Sequence, residues 1–227
     1  MPALTPTLAA LAALLAIFLA WRLFCATGVR ARARAGYFDE VRQLFDGGES
    51  RLQPGGFPRM TGRRGERSFD LQVVPDSLTF RKLPALWVMV SLPEPLPLAA
   101  TLDLMARPSG QEPFTHFTRL PQILPRPVSL PDGIAVRSDN AAAVPDEALI
   151  ARHAASLFAD PRVKELLISP KGLRIVFLAE EADRSRYLIF RDAEMGQEPL
   201  AAARIAPYLD RLEALRADLL DQLKEAA

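Results

Sequence analysis

The stretch Leu4 to Trp21, LTPTLAALAALLAIFLAW, carries no charged side chain and consists mostly of Ala and Leu. About 20 apolar residues in a helix cover roughly 30 Å of hydrocarbon, so this segment is predicted to cross a membrane. Trp21 and Arg22 then supply an interfacial aromatic and a cation that reaches the headgroups. Everything downstream reads as a domain tethered beside a bilayer.

A cleaved secretory signal is the competing reading, and it fits worse. Such a signal needs a basic leading region and a small-x-small cleavage site. Residues 2 to 21 hold no Lys or Arg, and Phe24-Cys25-Ala26 places a bulky ring at the first small position. Orientation follows from the cations. Arg22, Arg30, Arg32 and Arg34 all lie just after the span, no acid appears before Asp39, and no cationic side chain precedes the span. The excess of Lys and Arg stays on the cytoplasmic side, which predicts a single-pass protein with its C-terminal domain in the cytoplasm. The Ala/Arg/Leu/Pro bias resembles bacterial chains from GC-rich genomes, so the expected location is the inner membrane. Trp21, Arg22, Arg30, Arg32 and Arg34 are its interface residues.

The remaining 200 or so residues suffice for one ordinary domain or two small ones. From Tyr37 onward there are 24 basic and 27 acidic residues, a balance of −3. A mildly acidic domain without a basic, aromatic-studded stripe argues against nucleic-acid binding. The single cysteine, Cys25, cannot form an intrachain disulfide, which suits a reducing compartment.

The pattern predicts an α+β fold: an N-terminal transmembrane helix, an antiparallel β-rich domain, and a C-terminal helix, meander and long helix. The divisions expected are 1–28 for the anchor, 29–56 for a basic juxtamembrane segment, short helix and turn-rich joint, 57–140 for a β-rich unit with a Pro-rich flap, and 141–227 for the rest. Tyr37, Phe38, Val41, Leu44 and Phe45 recur at helical spacing before Gly47-Gly48. Strands are predicted over 59–63 and 68–74 as a hairpin, then 77–83, 85–92, 99–105 and 133–138. Residues 106 to 133 scatter six prolines among Phe114, Phe117, Leu120, Ile123 and Leu124, which reads as an ordered covering flap or a partner surface. Asp146 starts a helix to Ala159. Strands follow at 163–169, 173–179 and 186–191, and Pro199 to Ala226 forms the closing helix. Its stripe Leu209, Leu212, Leu215, Leu219 and Leu223 closes the domain's own sheet or, alternatively, gives weak self-association through residues 208–223.

Motifs for chemistry fail on context. Gly62-Arg63-Arg64-Gly65 spells the backbone clamp of KH-type RNA modules, but that clamp joins two helices and this one sits among strands. Ser138-Asp139-Asn140 lacks the Ser-x-x-Lys and Lys-Thr-Gly partners of penicillin-recognising enzymes, leaving a local turn. His116 and His153 are isolated and do not make a zinc site. No metal, cofactor or catalytic residue is assigned. One basic set stands out: with Arg51 and against Glu66, the residues Arg59, Arg63, Arg64 and Arg67 give a local +4. It reads as a solvated hairpin face or as a contact for anionic lipid or a partner. The expected function is a membrane-anchored, non-catalytic interaction or assembly module, binding lipid through its first helix and other membrane-associated proteins through its domain. The alternatives are an envelope-facing accessory or ligand-binding domain and a membrane-bound enzyme.

Overall fold

A computed structural model describes residues 4–77, 83–190 and 193–225. Helix α1 (Leu4–Ala35) does not stop near residue 28 but runs on through the arginines to Ala35. At 1.5 Å per residue its 32 residues extend about 48 Å, more than a hydrocarbon core requires. It is long and apolar enough to cross a membrane, and the apolar window within it has no buried residue. Leu11, Leu14, Leu15, Phe18 and Leu23 are exposed around its circumference, with no domain residue covering this window.

After Ala35 the chain plunges into the domain. Tyr37, Phe38 and Val41 are buried, but the expected amphipathic helix is only a turn and one 3-10 turn, Val41–Leu44. Phe45 is already extended, because the backbone has to open there into the first strand.

Among the described residues nine strands make one sheet: β1 (Gly47–Leu52), β2 (Pro58–Arg64), β3 (Arg67–Asp76), β4 (Ala85–Leu92), β5 (Leu102–Ala106), β6 (Gln122–Leu124), β7 (Ile134–Ser138), β8 (Val163–Ser169) and β9 (Gly172–Glu181). Their order is β1-β2-β3-β4-β9-β8-β5-β7-β6, and every neighbouring pair is antiparallel. The first four strands form a meander. The chain then crosses to β5, and the β8–β9 hairpin later inserts between β4 and β5. Helix α2 (Glu147–Phe158) begins where expected, with the Asp146 carboxylate accepting from the Leu149 N–H at 3.0 Å. Most of the strand expected at 77–83 lies outside the described residues.

Further elements depart from expectation, β6 among them, which lies in the Pro-rich segment where no strand is predicted. β1 falls in the stretch read as a joint. The run RYLIF of residues 186–190, predicted as the start of a meander strand over 186–191, makes up the rest of helix α3 (Arg184–Phe190) after its first two residues, and Arg191 lies outside the described residues. Asp183 explains the helix: its carboxylate accepts from the Arg186 N–H at 2.8 Å and its carbonyl from the Tyr187 N–H at 2.9 Å. β9 is already paired on both sides, to β4 and β8, so no ladder was open to a further strand there.

The two faces of the sheet are covered differently. On one, Leu86, Val88 and Val90 of β4, Ile175 and Phe177 of β9, and Leu166 and Ile168 of β8 pack with α2 and with α4 (Ala202–Glu225), which starts three residues after Pro199 and contains Pro207. Leu209, Leu212, Leu215 and Leu219 of α4 are buried there, so the leucine stripe closes the chain's own core. On the other face Phe114 and Phe117, from the long segment between β5 and β7, cover Met105, Val176, Trp87 and Met89. The Pro-rich segment is an ordered flap.

Candidate functional site

Beneath that flap the sheet carries its most unusual chemistry. Asp103 on β5 and Glu165 on β8 are 1 % and 0 % exposed. Cross-strand register sets Met105 opposite Glu165 and Asp103 opposite Leu167, so the two acids are diagonal neighbours on one face. Arg174 of β9 grips Glu165 Oε2 through Nε at 3.0 Å and Nη2 at 2.8 Å. The Thr115 hydroxyl, descending from the flap, donates to Asp103 Oδ2 at 3.4 Å. Glu165 Oε1 and Asp103 Oδ1 are buried with no hydrogen-bond partner among the described residues.

Two acids share one guanidinium here. Burial first, and then the Glu165 carboxylate, pushes the Asp103 carboxyl up to about 8. Glu165 is also raised by burial, with Arg174 opposing the rise. Arg174 bonds Glu165 and not Asp103, which favours the proton on Asp103, and a carboxyl proton there can serve the orphaned oxygens. Lys164, at the β8 irregularity, secures the start of the flap by donating to the Ala106 and Arg107 carbonyls at 2.8 and 2.7 Å and pairing with Glu112 at 3.0 Å. Burial pushes Glu112 up, but the Ser109 N–H and hydroxyl and Lys164 outweigh it and hold that carboxyl at about 2. A general acid must reach the atom it protonates. Asp103 and Glu165 are buried away from solvent, and through Thr115 Asp103 ties the flap to the sheet.

The residues singled out in the sequence are dispersed. Ser138 is buried and accepts from the Asn140 N–H at 3.0 Å, while Asp139 accepts from the Thr101 N–H at 2.7 Å, which is the turn chemistry expected. His116 is exposed beside a 3-10 turn of the flap. His153 shares Asp218 with Arg152 at 2.8 and 2.9 Å, joining α2 to α4. Among the described residues no group of three or more His, Cys, Asp or Glu is placed to hold a metal ion. Gly62 lies in β2 directly under the Phe45 ring, where a Cβ would collide, and Gly65 takes φ 56° in the β2–β3 turn.

The basic hairpin is largely committed within the domain. Arg59 holds both oxygens of Asp70 at 2.8 Å. Arg64 reaches Asp210 of α4 at 2.7 Å, and Arg67 meets Glu94 at 2.6 Å. Burial pushes Glu94 up, but Arg216, at 2.8 Å, and Arg67 together hold it down. Arg63 is exposed. The hairpin tip also lies six residues along β2 from Pro58, about 20 Å.

The opposite end of the sheet is where α1 joins. Arg34 lies over the Phe57 ring at 5.3 Å, Tyr37 meets that ring edge-on at 5.8 Å, and the Leu200 N–H donates to the Tyr37 carbonyl at 2.8 Å. Arg30 pairs with Glu194 at 3.1 Å. Of the predicted interface arginines, Arg30 and Arg34 thus touch the domain, while Arg32 bonds the Gly28 carbonyl within α1 at 3.3 Å. Arg22 lies 6.0 Å from the Phe18 ring, which in turn neighbours Trp21. Comparison with protein-family models, curated proteins and solved structures gave no match.

Proposed function

We propose that this chain is a membrane-anchored, non-catalytic interaction module at the cytoplasmic face of a bacterial inner membrane, held by α1 and joined to other membrane-associated proteins through its sheet. The observation that carries the reading is β1. All six of its residues are exposed, and it pairs with β2 on one side only. The Gln53 N–H donates to the Phe57 carbonyl, and with the β1–β2 register that fixes the alternation. Glu49 and Arg51 turn their backbone groups toward β2. Gly48, Ser50 and Leu52 turn theirs outward. Beside them runs a shallow cleft lined by Phe45, Met60 and Gly62. An open antiparallel edge of this kind accepts a strand from a partner, with backbone hydrogen bonds giving affinity and the cleft giving selectivity.

Ser50→Pro tests this, because it deletes an outward N–H while proline is tolerated where the N–H faces solvent. Proteins co-purifying with the gently solubilised wild-type chain should be lost from the variant, with its melting temperature nearly unchanged. Identical partners for both, or none for either, would refute the strand-addition reading.

Orientation rests on Arg22, Arg30, Arg32 and Arg34, unopposed by cationic side chains on the other flank. A C-terminal reporter active only in the periplasm should be silent. Activity there would replace this reading with the envelope-facing accessory domain.

A further inference from the structure

Helix α3 exposes its apolar side chains at the end of the sheet where α1 leaves. Leu188 and Ile189 are 56 % and 72 % exposed, and Arg184 and Arg186 are exposed beside them. Glu194 ties this helix to the anchor, pairing with Arg186 through one oxygen at 2.5 Å and with Arg30 of α1 through the other at 3.1 Å. If about 20 residues from Leu4 fill the hydrocarbon, Arg30 stands roughly 10 Å beyond it along the helix axis, at the outer edge of the headgroup layer. The α3 surface is therefore within reach of lipid. Its composition matches that position, because leucine and isoleucine suit the acyl boundary while arginine suits phosphate.

We propose that α3 is a second membrane contact, in which Leu188 and Ile189 enter the lipid interface around the foot of α1 and Arg184 lies among anionic headgroups. The occupant is lipid, on two grounds. One is continuity with the anchor through Glu194. The other is the exposed Arg184 beside the apolar pair, a cation that matches an anionic surface, whereas Arg186 is already held by Glu194. The inference rests on α1 spanning the bilayer. The basic Arg63–Arg67 tip, at the far end of β2, is not part of this contact.

The test uses the full chain with Cys25→Ser, reconstituted in vesicles of phosphatidylethanolamine and phosphatidylglycerol. Single cysteines replace Leu188, Ile189, Phe18 or Ile123, and each carries an environment-sensitive fluorophore. Labels at 188 and 189 should shift to the blue and be quenched by lipid-borne nitroxide, whereas a label at Ile123, exposed on β6, should be quenched only from water. The Phe18 label reports on α1 alone. If it fails to meet the lipid quencher, the anchor reading falls. If it meets the quencher while 188 and 189 answer only the aqueous one, the α3 contact is overturned. Protection of 188 and 189 from both quenchers would mean a protein covers them, which also overturns it.

Discussion

The α4 face of the sheet and the flap face bury similar strands by different means. Against α4 the contact is nearly all hydrocarbon, from Leu86 and Ile175 to Leu212 and Leu219, with Phe177 stacked on Tyr208 at 4.6 Å. Under the flap a few rings, Phe114 and Phe117 with Trp87, share the space with Asp103, Glu165 and Arg174. Apolar burial scales with area and is indifferent to pH. The ionised cluster works only in one protonation state and one geometry. The first face thus depends on apolar area alone, and the second also on the charge state of the groups under the flap.

The largest effect should come from breaking the apolar face. Leu215→Asp places an unpaired carboxylate among buried side chains, at a cost of several kcal/mol. The domain should unfold or be degraded, read as loss of the cooperative melt of the detergent-solubilised chain. A folded variant with altered mass in solution would mean that the stripe joins two chains.

A smaller effect should separate the flap face. An acid whose folded value is raised above its unfolded one contributes stability that is present below about 4 and lost as pH rises through about 8. The wild-type chain should therefore lose a few kcal/mol between about pH 4 and about pH 8. Asp103→Asn mimics the neutral acid and should be nearly as stable at the lower pH while losing much of that slope. A wild-type melting temperature flat over this range would show that Asp103 is already ionised.

How much of this was legible follows from which side chains carry a signal. Phe69, Leu71 and Val73 alternate because β3 has one face to bury, and Asp146 marks α2 because its carboxylate caps it. β1 shows no alternation because neither of its faces is covered, so Gly47–Leu52 resembles a loop. RYLIF has the composition of a strand, and the Asp183 cap before it together with the topology, with β9 paired on both edges, excludes one. Asp103 and Glu165 sit in alternation with apolar residues, which in sequence marks a solvated face. What reverses the meaning is a flap joined to β5 and folded back over it, a non-local contact that periodicity does not encode.

The joint at Tyr37 and Phe38 is packed into the domain's core rather than left as a linker. A helix that ends in its own domain's core, clamped by Arg34 on Phe57 and Arg30 on Glu194, acts as a lever arm. A tilt of about 20°, ordinary for a membrane helix, would carry a point roughly 30 Å away through about 10 Å. The open edge of β1 would then be aimed by the thickness of the bilayer, and whatever strand it receives would be offered at a height and bearing set by lipid.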